Sequence, residues 1–158
     1  MKPVLAILIA AMLLATLKAS AQEQATPQVA AAAAASEPYE PGLAEIMALQ
    51  QMRHIKLWFA GRARNWPLAD YEVDELKDGF EAVNRQLGGD TVEKAVGAGI
   101  SALEKAIDAK DHAAFTSAFD TLTAGCNGCH HLLDHDFIVI RRPSQLPYSD
   151  QSFAARKR

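Results

Sequence analysis

From Gly42 onward, apolar residues recur every three or four positions in four stretches separated by short polar or glycine-bearing breaks. That spacing is the pattern of helices that each bury one face. The first stretch runs from about Gly42 to Arg64, where Leu43, Ile46, Met47, Leu49, Met52, Ile55, Leu57, Trp58 and Phe59 make a broad apolar face. Asn65, Trp66 and Pro67 interrupt it. The second spans about Leu68 to Leu87 (Leu68, Tyr71, Leu76, Phe80, Val83, Leu87) and meets a C-terminal stop at Gly88-Gly89, because glycine accepts the left-handed backbone that ends a helix. The third takes Thr91 as its N-cap and Glu93 in its first turn, then continues through Val92, Val96, Ile100, Leu103 and Ile107. Gly97 and Gly99 weaken that helix locally and mark places where a neighbouring helix or a flat ligand comes close. The fourth begins near Asp111 and carries Phe115, Ala118, Phe119, Leu122, Cys126, Cys129 and Leu133 along one face. Connections of only a few residues make sequential helices antiparallel neighbours, so the expected fold class is all-α, an up-and-down four-helix bundle.

The N-terminus follows a different pattern. Lys2 precedes an almost unbroken apolar run from Val4 to Leu17, and Ala19-Ser20-Ala21 supplies small residues after it, the order of an export signal and its cleavage site. The apolar run falls short of the roughly 20 residues a spanning helix needs. Cleavage near Ala21 is therefore expected, with the mature chain starting at Gln22, residing in the periplasm and having no stable membrane insertion. Gln22 to Pro41 (QEQATPQVAAAAAASEPYEP) has no apolar face to bury and reads as a disordered linker. The resulting organisation is 1–21 signal peptide, 22–41 linker, 42–142 helical domain and 143–158 tail. A length of 158 residues supports one domain of this size and excludes two or three cores.

Charge narrows the partners. Lys+Arg 16 against Asp+Glu 19 give a net charge of −3, and loss of Lys2 and Lys18 with the signal leaves 14 basic against 19 acidic residues, or −5. No polybasic character announces a nucleic acid or an acidic membrane. The acidic run Asp70, Glu72, Asp74, Glu75, Asp78 and Glu81 reads as a solvated face, with Arg53, Lys56, Arg62 and Arg64 as its basic counterpart. One of these faces could steer a partner protein.

The candidate chemistry sits at the end of the fourth helix, in Cys126-Asn127-Gly128-Cys129-His130, which holds both cysteines of the chain. Cys-x-x-Cys-His is the spacing of covalent haem c attachment. On a helix, positions i, i+3 and i+4 share a face. Two thiols so placed reach the two vinyl groups of one porphyrin edge, while the His130 imidazole rises over the plane to bind iron. Asn127 and Gly128 are small and point elsewhere. Three other chemistries use such residues. A thioredoxin-type dithiol wants a strand before the motif, a zinc site would have to gather Cys126, Cys129, His131 and His135, and a disulfide closing so short a loop stabilises little. Haem c is attached outside the cytoplasm, so the export signal and the motif support one another.

With these residues in view, the chain resembles the class II cytochromes c, the group of cytochrome c′ and its low-spin relatives. It is also similar to small bacterial periplasmic c-type cytochromes with a first-helix segment such as His54-Ile55-Lys56-Leu57-Trp58-Phe59-Ala60-Gly61 followed by Asn65-Trp66-Pro67-Leu68-Ala69. The resemblance covers about residues 42 to 142. It implies one covalent haem c held by thioethers at Cys126 and Cys129, with His130 as proximal iron ligand. It also implies that the first helix furnishes the distal side, where Met47, Met52 and His54 are the candidates. Met47 shares a stripe with Leu43, Gln50, His54 and Leu57, whereas Met52 lies with Leu49, Ile55 and Phe59; Met47 is preferred because two polar residues on its stripe otherwise lack a reason to face the core. His131, His135 and His112 are read as surface or propionate-neighbouring residues. Class II chains usually stop soon after the haem motif, whereas residues 131–158 follow it here, and this tail either wraps the bundle or docks a partner.

The expectation is an exported mono-haem carrier of single electrons, not an enzyme, that serves redox partners of the periplasm. Relatives of this class are often dimers, which brings a homodimer within expectation. A sixth protein ligand favours electron transfer, whereas an open iron position permits gas binding, so the alternative is a five-coordinate protein that binds nitric oxide or carbon monoxide.

Overall fold

Each of the four apolar stretches is a helix. The computed structural model describes residues 39–156, with α1 at Leu43–Arg62, α2 at Trp66–Leu87, α3 at Thr91–Asp108 and α4 at His112–Leu132. The expected signal peptide and nearly all of the expected linker lie outside the described residues. The described residues from Pro41 onward form one compact unit. No strand occurs among the described residues, and none of their helices is long and apolar enough to cross a membrane.

The breaks between helices come from local backbone chemistry. Arg64 (φ 54°) and Lys110 (φ 54°) adopt left-handed backbone just past α1 and α3, and Gly88 and Gly89 (φ 74° and 77°) end α2. The start of α2 lies two residues before the expected Leu68, because Pro67 occupies the first turn, where a missing N–H breaks no helical bond. Asp90, not Thr91, sits at the N-cap of α3, and Thr91 is already helical. Asp111 caps α4 through its carboxylate, which accepts from the amides of Ala113 (2.9 Å) and Ala114 (3.0 Å).

Sequential helices pack against one another, α1 on α2, α2 on α3 and α3 on α4. The α3–α4 seam is tight at Gly99, where a Cβ would lie 2.6 Å from the Leu122 Cα, and at Gly125, where one would run into the Ala95 carbonyl. The expected close approach is therefore present at Gly99. At Gly97 it is not, since a Cβ there would meet only the side chain of Glu93. The α1–α4 seam is different. It closes at one end, where Gly61 lies against the Phe115 ring, Trp58 stacks near Phe119 (4.9 Å) and His54 reaches Thr123 (2.8 Å). Toward Leu43 and Leu132 a cavity separates the two helices.

The tail wraps the bundle along that seam. Asn127 binds Ile140 through its side-chain amide, and Arg142 pairs with Asp120 while stacking on Trp58 (4.6 Å). Farther on, Tyr148 lies beside the Lys56 ammonium (5.5 Å), Phe153 is 7% exposed and packs near Phe59 (6.3 Å), and the Ala154 carbonyl accepts from Asn65 (3.4 Å). The tail is irregular, as expected, yet it fastens α1 to α4.

Gly99→Ala drives a methyl group into the Leu122 backbone and should destabilise the chain by about 1–3 kcal/mol. Gly97→Ala has only a movable Glu93 side chain to displace and should be neutral or stabilising by up to about 1 kcal/mol. Urea denaturation of the two variants checks this contrast.

Candidate functional site

Cys126, Cys129 and His130 lie on the last turns of α4 and share one face, as their spacing requires. That face is one wall of a cavity of about 500 Å³ to which all four helices contribute. Leu43 and Met47 from α1, Leu76 and Phe80 from α2 and Val96 from α3 form much of its surface. The segment after α4 adds Leu133, His135, Ile138 and Ile140.

The two thiols are free. Burial, and secondarily the neighbouring Cys129, pushes Cys126 up to about 12, and burial also raises Cys129. Reactive redox dithiols need the opposite, a thiol lowered by positive charge or a helix N-terminus. A zinc set is not assembled either, since His131 Nδ1 is engaged by Asp136 (2.7 Å) and His135 Nδ1 donates to the Leu133 carbonyl (2.5 Å). Among the described residues no three of His, Cys, Asp and Glu gather as a metal site.

His130 Nδ1 lies 2.8 Å from the Ile138 carbonyl oxygen. A carbonyl can only accept, so the proton is on Nδ1 and the lone pair of the neutral ring is on Nε2, the nitrogen available to a metal. Two residues farther on, the same segment meets the motif again. Asn127 Nδ2 donates to the Ile140 carbonyl (2.8 Å) and Asn127 Oδ1 accepts from the Ile140 amide (2.7 Å). Asn127 points away from the cavity, as expected, and in addition its side chain ties the following segment to α4.

Met47, Gln50 and His54 line the opposite wall. In the closed part of the α1–α4 seam, steps of three or four residues toward the α1 N-terminus match steps of four toward the α4 C-terminus: Gly61 meets Phe115, Trp58 meets Phe119, His54 meets Thr123. Met47 on α1 and His130 on α4 both lie beyond the His54–Thr123 contact, on the side toward the cavity, and both line it. Met52 does not line the cavity.

Both polar residues on the Met47 stripe have structural partners. Gln50 Nε2 donates to the Leu76 carbonyl (2.8 Å), and its oxygen accepts from Arg53 (2.8 Å), which pairs with Glu75 (2.7 Å). The Thr123 hydroxyl donates its proton to the Phe119 carbonyl (2.8 Å), so it accepts from His54 Nε2. His54 is 4% exposed and stacks on Phe119 (4.4 Å). Burial lowers its pKa to about 4. The polarity of the stripe therefore gives no reason of its own to prefer Met47, whereas Met47, unlike Met52, lines the cavity.

His131 and His135 are exposed, although His135 also touches the cavity, and His112 is half-buried at the start of α4. The solvated-face reading holds for Asp70, Asp74, Asp78 and Glu81 but not for Glu72, which is 2% exposed and raised by desolvation. Glu72 shares the inward stripe of α2 with Ala69, Val73 and Leu76. Comparison with protein-family models, with curated proteins and with solved structures gave no match.

His54 has a stability signature. It costs nothing above pH 6.5, and as the pH falls from 6.5 toward 4 the unfolded ring takes up a proton that the folded ring refuses, so stability declines. Glu72 acts oppositely just above pH 4.5, where its folded carboxyl keeps a proton that the unfolded one releases. Urea denaturation of the haem-free chain at pH 7 and pH 4.5 should therefore show a loss on acidification larger in the wild type than in His54→Gln by roughly 1–3 kcal/mol.

Proposed function

We propose that this cavity holds one covalently attached haem c and that the protein carries single electrons as an exported class II-like cytochrome. The observation that carries the reading is the meeting, on one apolar cavity, of two free thiols one helical turn apart and an imidazole whose Nε2 lone pair is unused. The donor chemistry fits. Cys126 and Cys129 would carry the thioethers, His130 Nε2 would bind the iron, and the Met47 sulfur would be its second protein ligand, the His/Met pair used by electron-carrying cytochromes. A cavity of about 500 Å³ also lies within the range of cofactor pockets.

When bound, the haem supplies an iron centre that gains and loses one electron. The chain's residues set the conditions for that change. The apolar wall of Leu76, Phe80 and Val96 limits water and keeps the local dielectric low. His54 stays neutral near pH 7 and places no fixed charge beside the site. Engagement of His54 Nε2 by Thr123 disfavours it as the distal ligand. The proposed setting is the periplasm, with redox proteins as partners.

Chain matured in cells with a haem-attachment system should gain the mass of one haem and stay coloured after acid–acetone extraction. The double variant Cys126→Ala, Cys129→Ala should not, and complete extraction of colour from the wild type would defeat the proposal.

Met47 has its own test. Met47→Ala should lower the reduction potential, turn the haem from low to high spin, and allow rapid carbon monoxide binding in the reduced state. Met52→Ala should leave the spin state alone and cost less than the ~2–5 kcal/mol of a fully buried methionine, since Met52 is only half-buried. A wild type that is already high-spin and binds carbon monoxide at once would replace the carrier by the five-coordinate gas-binding protein.

A further inference from the structure

We propose that Asn127, between the two cysteines, is a positioning residue for His130. The proposal deepens the haem reading and rests on it. After α4 the chain turns back on itself. Asp134 takes left-handed backbone (φ 59°), the His135 amide donates to the His130 carbonyl (2.7 Å), and the Ile138 amide donates to the His135 carbonyl (2.9 Å). Ile140 thus arrives beside Asn127, whose side-chain amide pairs with it as a second peptide unit would, giving one donor and one acceptor to the same residue. Two residues earlier, the Ile138 carbonyl meets His130 Nδ1 at 2.8 Å.

The two attachments act on one short strip of backbone. Ile138 is 42% exposed and Val139 72% exposed, so burial of these two residues does little to hold the strip against α4, and polar contacts carry much of the attachment. The Arg142–Asp120 pair is one of them and Asn127 makes two more. A ligating imidazole needs an acceptor on its other nitrogen to fix its tautomer and orientation and to strengthen its donor nitrogen. Here that acceptor is a backbone carbonyl of a surface segment, and Asn127 keeps it there. An alanine at 127 removes both bonds. An aspartate keeps the acceptor for the Ile140 amide and loses the donor to the Ile140 carbonyl.

The measurement is the exchange rate of the His130 Nδ1 proton, followed by NMR in the reduced, haem-loaded protein, together with amide exchange along α4. Asn127→Ala should still gain the mass of one haem, since both cysteines and His130 are intact. Its ring proton should exchange roughly ten- to hundred-fold faster than in the wild type, as expected for the loss of two ordinary hydrogen bonds, with Asn127→Asp between the two. Amides in the middle of α4, such as those of Phe119 and Leu122, should keep wild-type protection. An unchanged ring proton in loaded Asn127→Ala overturns the proposal, and so does a loss of protection spread equally over α4, which marks general loosening. A wild type that gains no haem mass defeats the underlying reading of the site; a loaded protein whose ring proton ignores Asn127 defeats only the positioning role.

Discussion

Helices in a bundle share a core only where their axes come within about 8–10 Å, and the α1–α4 pair meets that condition along only part of its length. At one end Gly61 gives the Phe115 ring room against the α1 backbone, and Trp58, Phe119, His54 and Thr123 continue the contact. At the other end the walls are Met47 and Leu43 on one side and Cys126, Cys129 and His130 on the other. The α2–α3 seam carries a separate, more polar pocket lined by Lys77, Asn84, Glu93 and Glu104. The apolar cavity follows from the gap between one pair of antiparallel helices, and the motif lines it.

The fold was legible because apolar positions at helical period and short breaks leave few alternatives. The motif was legible because two thiols and an imidazole at i, i+3 and i+4 can share only one face. Other features required tertiary structure. Nothing in the spacing of Asn127 or Ile140 predicts that they bind each other, since a reversing segment with left-handed Asp134 brings them together. Glu72 looked solvated because it stands in an acidic run, yet helical phase turns it inward with Val73 and Leu76. The tail gave no periodic signal because its anchors are isolated side chains, Arg142, Tyr148 and Phe153, each meeting a different residue of the bundle. Gly97 and Gly99 looked alike in sequence, and only helix phase separates the one facing Leu122 from the one beside Glu93.

The polar residues near the cavity are arranged to be satisfied without charge. Gln50 is committed to the Leu76 carbonyl and to Arg53, and His54 to Thr123. Arg53 carries its charge outward to Glu75. Buried polar groups are tolerated when every donor and acceptor has a partner. On α1 this leaves the stripe around Met47 chemically quiet, with its hydrogen-bonding capacity spent on neighbouring helices.

The tail strap also orders events in time. Contacts between sequential helices are local and form early, whereas the Asn65–Ala154 bond joins residues 89 positions apart, and contacts of that range form slowly. Phe153 and Ala154 are synthesised after all four helices and meet Phe59 and Asn65 at the closed end of the α1–α4 seam, so the outer fastening of that end is among the last contacts to form. Until then that end is held by the contacts of Gly61 with Phe115 and of Trp58 with Phe119.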